Sequence, residues 1–268
     1  MAPTLDFPSL VRLIDERAVA FRAAVASTTS LGTHVLTCPE WTQLDLVRHL
    51  GEVHRFWARA VAAGPAGDPP DDRATVGTSA APTEREALLA WSAESCERLL
   101  AALREAGPDR GCWTWWAGTQ SPQTSAAVAR HQLQEISVHT YDALITAGTP
   151  HSLSDEIALD GVDEFLCTCC SGTAPWPHRP AAIDVHALEG ASWRLTLAGD
   201  GTRTTMLPSP GAPGAATSGE EQVGADASLW GTAADLVLVL YGRIPLDSLT
   251  ITGDRSHVDL LQAWDPDA

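Results

Sequence analysis

Four long stretches with helical spacing fill the first 150 residues, and few architectures accept that arrangement. Residues 8–27 carry Leu10, Val11, Leu13, Ile14, Ala18, Phe21 and Val25 on one helical stripe. From Thr42 to Ala63 the apolar positions are Leu46, Leu50, Val53, Phe56, Trp57 and Val61. A third helix starts after Thr83, which can cap it with Glu86 in the capping-box position, and buries Leu88, Leu89, Trp91, Leu99, Leu100 and Leu103. Gly107-Pro108 stops it. A fourth runs from Thr124 to Ala147 and ends at Gly148-Thr149-Pro150. Each helix buries a stripe only against others, so a four-helix bundle is predicted for residues 1–150. Gly64 to Pro82, rich in Gly, Pro, Asp and Ser, reads as a loop, and Thr37-Cys38-Pro39-Glu40-Trp41 as a loop and helix start.

After Pro150 the texture changes. Asp155 to Cys170 reads as a helix, 182–188 and 193–197 as strands, and Pro208 to Glu221 as a Gly/Pro/Ala loop. Ala227 to Tyr241 reads as one apolar helix, Leu249 to Ile251 as a strand and Ser256 to Trp264 as a last helix. Residues 151–268 are therefore expected to form a smaller α+β domain.

Chemistry-bearing residues lie on two of the bundle helices. Glu135 and His139 are four apart, so they share a helix face about 6 Å apart along the axis. His49, on the second helix, can meet them if the two helices pack. Two imidazoles and a carboxylate make a three-ligand metal site with a position left for a reactant. From the residues alone, an ordinary helical ion pair stands beside that reading. His131, one turn before Glu135, is expected behind the ligands or in a substrate pocket, and His54 is expected to be structural. Asp142 reads as a helix-end residue or a support for a ligand.

Composition narrows the partners. The formal charge is -17, which disfavours nucleic acid and anionic membranes, because phosphate binding needs clustered cations. There is no lysine, which excludes Schiff-base chemistry and a phosphate-loop lysine. No signal segment and no membrane-length apolar run is visible. Six cysteines, at 38, 96, 112, 167, 169 and 170, fit neither a disulfide framework nor paired zinc spacing, so a cytoplasmic protein with reduced thiols is expected.

Cys38-Pro39-Glu40-Trp41-Thr42, followed by Asp45-Leu46-Val47-Arg48-His49-Leu50-Gly51, resembles the N-terminal signature of the mycothiol-dependent maleylpyruvate isomerase family. That family belongs to the DinB-like metal-binding four-helix bundles. Gln134-Glu135-Ile136-Ser137-Val138-His139-Thr140-Tyr141-Asp142-Ala143 resembles its second signature. Residues 234–243 and 251–254 resemble its smaller, sterol-carrier-like C-terminal domain. The resemblance implies that His49, Glu135 and His139 bind a divalent metal. Zinc suits this mixed nitrogen and oxygen set. It further implies mycothiol as cosubstrate, and Arg243 as a group that can approach the active site from the C-terminal domain. A cap on the end of an apolar helix is the alternative role for Arg243.

The loop Gly111 to Gly118 departs from that pattern in its tryptophans. Trp113, Trp115 and Trp116 read either as an aromatic wall for a bulky planar acceptor or as packing at the bundle end. The expected activity is thiol transfer or thiol-assisted isomerisation of a small electrophile by a low-molecular-weight thiol, in a monomer or homodimer. Two alternatives remain at this point. One is a hydrolase or lyase that activates water with His131 as base. The other is a protein that sequesters an apolar small molecule.

Overall fold

The computed structural model describes residues 5–65, 68–70, 81–208 and 224–264. Most of the two predicted loops, 66–67 with 71–80 and 209–221, therefore lies outside the described residues. The chain divides into two compact units. Among the described residues, one comprises those within 5–117 and 122–153; the other comprises 118–121 and those from 154 to 264.

The first unit is the predicted bundle. Its helices are α1 (Phe7–Ser27), α2 (Gln43–Ala63), α3 (Arg85–Ala106) and α4 (Ser125–Thr146). Around the bundle the order is α1–α4–α2–α3, so α2 and α3 are neighbours while the pairs α1/α2 and α3/α4 sit on diagonals. The buried stripes include Leu10, Ile14, Phe21 and Val25 on α1, and Leu46, Leu50, Trp57 and Val61 on α2. Leu88, Leu99 and Leu103 of α3 and Leu133 and Ile136 of α4 complete the core.

Local chemistry fixes the helix starts. Asp6 caps α1 by accepting from the Ser9 N–H at 2.8 Å, with Pro8 in the first turn. Thr42 and Asp45 form a capping box on α2: Asp45 Oδ2 accepts from the Thr42 N–H at 3.0 Å, and Thr42 Oγ1 from the Asp45 N–H at 3.3 Å. Thr124 caps α4. At α3 the expected Thr83 cap is not used. Glu84 occupies the cap position without a side-chain bond, its carbonyl already accepting from the Leu88 N–H at 2.8 Å.

Gly51 lets α2 and α3 approach. A Cβ there would lie inside the van der Waals envelope of the Trp91 indole, a buried residue of α3. Gly51→Ala is expected to lower stability by about 1–3 kcal/mol, the cost of overpacking a filled core, despite alanine's better helix propensity. Denaturant unfolding measures this; an unchanged or raised midpoint would contradict the packing described.

Residues 37–41 do not form the expected loop. Cys38–Thr42 is a strand, β2, paired antiparallel with β1 (His34–Val35). Backbone bonds from Gln43 N to Thr33 O and from Leu44 N to Leu31 O, both 2.9 Å, lock this hairpin onto the start of α2.

The second unit holds α5 (Asp155–Thr168) and strands β3 (Ala181–Ala187), β4 (Ser192–Ala198), β5 (Gly201–Met206) and β6 (Ala227–Gly231). After these come α6 (Ala233–Leu240), β7 (Thr250–Gly253) and α7 (Ser256–Ala263). The sheet order is β5-β4-β3-β6-β7, with β3 and β6 parallel and the other pairs antiparallel. The predicted helix from 227 to 241 is corrected: its first third is β6. Gly231-Thr232 breaks the run, and Thr232 caps α6 by accepting from the Asp235 N–H at 3.1 Å. Ile183, Val185, Leu195, Leu197 and Leu229 share the core with Leu236 and Val237 of α6.

Candidate metal centre

His49 sits two helical turns into α2, where the capping box has set the helix's start and hence its phase. Glu135 and His139 sit one turn apart on α4. The structure brings the three together. Nε2 of His49 lies 2.8 Å from Oε1 of Glu135, and Nε2 of His139 lies 3.4 Å from the same oxygen. One donor atom from each falls within 4.8 Å of the others. A tetrahedral ion with bonds of about 2.0–2.1 Å needs donor separations of about 3.3 Å, which these distances bracket. The donor set and spacing fit a divalent metal of the zinc type.

The site is closed from behind and open in front. Side-chain exposure falls from 34% at His49 through 19% at Glu135 to 7% at His139, so access is from the His49 side. Burial, the strongest single influence on Glu135, raises a carboxyl's pKa. The hydrogen bonds and charges of His139 and His49 together outweigh it and hold the group well below its usual value. At His139 burial works against protonation, but bonds to Asp142 and Glu135 push the imidazole up to about 9.

Behind His139 a second carboxylate sets its orientation. Nδ1 lies 2.8 Å from Oδ2 of Asp142, which is fully buried. Asp142 Oδ1 accepts from the Thr37 hydroxyl at 2.6 Å, and the Cys38 thiol lies 4.0 Å from Oδ2. The Leu36 N–H donates to the Thr146 hydroxyl at 3.2 Å. The β1–β2 segment is thus tied to α4 at the level of the site. A His–Asp pair of this kind fixes the tautomer and points Nε2 at the metal position.

Trp41 is the site residue that sequence spacing missed. Its ring lies 4.7 Å from that of His49 and 5.9 Å from that of His139, stacked on the latter. It precedes α2, so helical periodicity had no hold on it; only the β-pairing of its strand places it there.

His131 faces aromatic rings: Trp116 at 5.1 Å, Trp115 at 5.6 Å and Trp57 at 6.1 Å. Trp113 packs against Phe56 at 5.7 Å and Trp57 at 6.1 Å. Trp116 is buried and its indole N–H donates to the Pro122 carbonyl at 3.1 Å, whereas Trp115 is 47% exposed. His54 is fully buried, and burial pushes its pKa down to about 4, so it is a neutral core residue. Arg243 belongs to the second unit, where its Nη1 donates to the Tyr241 carbonyl at 2.7 Å, just after α6.

Residues 11–144 match the family model of the mycothiol maleylpyruvate isomerase N-terminal domain, and residues 156–260 match the MDMPI C-terminal domain. The chain belongs to the mycothiol maleylpyruvate isomerase family. Two similar solved structures are crystal structures of mycothiol-dependent maleylpyruvate isomerase. One, a histidine-to-alanine mutant, has a TM-score of 0.55 at 15% identity; the other has 0.53 at 14%. Each alignment covers 92% of this chain and 93% of the other. At such identities the likeness establishes the fold: a helical N-terminal domain followed by an α+β domain. No curated protein gives a significant sequence match. None of the helices among the described residues is long and apolar enough to cross a membrane.

Four of the six thiols of this family member, those of Cys96, Cys112, Cys169 and Cys170, are ill suited to nucleophilic work. None of the six cysteines is in a disulfide. Burial pushes Cys112 up to about 11 and Cys96 and Cys170 up to about 12, and raises Cys169 further.

Proposed function

We propose that the protein is a metal-dependent enzyme in which a low-molecular-weight thiol, mycothiol, attacks a small electrophile, giving isomerisation or an S-conjugate. The observation that carries this reading is the convergence of His49, Glu135 and His139 with an accessible side at His49. The related solved proteins are described as mycothiol-dependent maleylpyruvate isomerases, which supports the thiol and the reaction type. Burial makes four of the six cysteines, Cys96, Cys112, Cys169 and Cys170, poor nucleophiles, which favours a thiol supplied from outside the chain.

His49, Glu135 and His139 would hold the metal, which we take to be zinc. A divalent cation there would supply the positive charge that keeps a nearby thiol ionised at neutral pH. Asp142 holds the Nδ1 proton of His139 so that Nε2 stays available as a donor. Trp41 screens the two imidazoles from water on one side. The thiolate adds to an activated carbon–carbon double bond, whose π electrons move onto the activating carbonyl as an enolate. Rotation about the new single bond and expulsion of the thiolate restores the double bond in the other geometry, with the thiol unchanged. Protonation of the enolate carbon instead leaves a stable thioether. We assign the proton transfer to His131, binding of the electrophile's carboxylate to Arg243, and a wall for a planar acceptor to the Trp113, Trp115 and Trp116 loop.

The test is turnover with and without the thiol. With zinc-loaded protein, maleylpyruvate and a bimane electrophile are offered in the presence and absence of mycothiol. Conversion of at least one of them is expected to rise about 100-fold or more with thiol, the scale of a well-positioned nucleophile. Conversion of either at an undiminished rate without thiol would move the protein to a water-activating hydrolase or lyase.

A further inference from the structure

Far from needing cations everywhere, this chain of net charge -17 concentrates four of its 17 arginines in one cleft. The cleft, of about 420 Å³, lies between α2 and α3 and contains none of the candidate metal ligands. Arg55 and Arg59 of α2, Arg98 of α3 and Arg110 just beyond it line the space, with Glu105 as the lining carboxylate. Alanines of both helices, among them Ala58 and Ala102, supply the remaining surface. The volume is that of a small-molecule pocket and exceeds what a single inorganic ion fills.

Several of the guanidinium groups are already oriented. Arg55 Nε donates to the Ser95 hydroxyl at 2.7 Å, and its guanidinium lies 4.8 Å from the centre of the Trp91 ring. Its side chain is only 11% exposed. Arg110 Nη2 donates to the Ala62 carbonyl at 3.0 Å, at the C-terminal end of α2. Arg55 and Arg98 share one carboxylate, Glu94, at 3.3 and 2.6 Å. Glu94 is itself 55% exposed, and ion pairs of that kind contribute little. Burial, and after it the like charge of Arg98, push the Arg55 guanidinium below its ordinary pKa. The cleft thus gathers more positive charge than its own carboxylates balance, beside an apolar surface.

We propose that this cleft binds a small organic dianion, its carboxylate or phosphate groups on the arginine forks and its apolar body against the alanines. Arginine's planar donors match both oxyanions, and donors held in place before binding lose less entropy on engagement. The site is separate from the thiol chemistry and does not depend on it.

Calorimetric titration at low ionic strength tests this with naphthalene-1,5-disulfonate, a dianion with an apolar body that chelates metals poorly, and with inorganic sulfate. The disulfonate is expected to bind one-to-one with a Kd below about 1 mM, and sulfate at least about tenfold more weakly. Arg59→Gln combined with Arg98→Gln should weaken the disulfonate about tenfold or more, and Glu105→Gln should tighten it. Tightening cannot come from misfolding, so that arm guards against a damaged double variant. Arg104→Gln, outside the cleft, and His49→Ala should leave the Kd unchanged. No saturable heat up to about 10 mM overturns the proposal. So does equal affinity for sulfate, wild-type affinity in the double variant, or loss of binding in His49→Ala.

Discussion

Protein carrying Glu135→Gln is expected to purify with less than about a tenth of the wild-type zinc content and to lose at least about 10³-fold in activity. Glutamine keeps the volume of the side chain, so the helix packing around it survives. What disappears is the negative charge that both imidazoles face: one oxygen of Glu135 stands 2.8 Å from His49 and 3.4 Å from His139. If a four-ligand zinc site is worth about 10–16 kcal/mol, one ligand's share is about 3–4 kcal/mol, or two to three orders of magnitude in affinity. Metal analysis after exhaustive dialysis reads the first effect and thiol-dependent turnover the second. Full metal occupancy in the variant would sink the ligand assignment.

Asp142→Ala is the second large effect, and it acts without touching the metal. Two groups lose their acceptor at once, Nδ1 of His139 and the hydroxyl of Thr37, both bonded to a carboxylate that solvent does not reach. Zinc affinity should fall about 10- to 100-fold, the usual cost of removing the partner behind a ligating imidazole. Stability should fall by about 1–3 kcal/mol from stranded buried polar groups. Asp142→Asn separates the two consequences. The amide oxygen can still accept one bond, so stability recovers in part, but the charge that favours the Nδ1–H tautomer is gone and metal affinity stays low. Competition with a chelator of known affinity measures this. Wild-type affinity in both variants would show that Asp142 is only a packing residue.

Much of the His49–Glu135–His139 cluster is legible in the sequence, and the gaps have physical causes. The helical stripes from Leu10 to Val25 and from Leu46 to Val61 dictate bundle helices, because 3.6-residue spacing admits no other regular structure. Glu135 and His139 share a face by arithmetic alone. His49 is different: no local rule relates residues 86 positions apart, so its place beside them rested on the resemblance of its surrounding motif. Trp41 and Thr37 were invisible as site residues because β1 and β2 exist only as partners, β1 being two residues long and β2 exposed or half-exposed throughout, with no clean alternation. The strand at 227–231 ran into α6 as one apolar stretch, and its break, Gly231-Thr232, is a two-residue signal easily outvoted by ten apolar neighbours. In β5 the buried side chains are Thr202 and Thr204, polar by composition yet inward by geometry.

The four residues 118–121 carry a consequence for anyone dissecting the molecule. Gln120 lies between α3 and α4 in the chain, yet its carboxamide exchanges bonds with the backbone of Thr204 at 2.6 and 2.9 Å. Its own N–H reaches the Ser171 hydroxyl at 3.1 Å. No single scissor point along the polypeptide therefore yields two intact pieces. A fragment ending near residue 153 would take this strap away from the β-sheet it serves, and a fragment beginning there would leave the edge strand β5 without it. Such half-proteins would be poor stand-ins for the domains they are meant to represent.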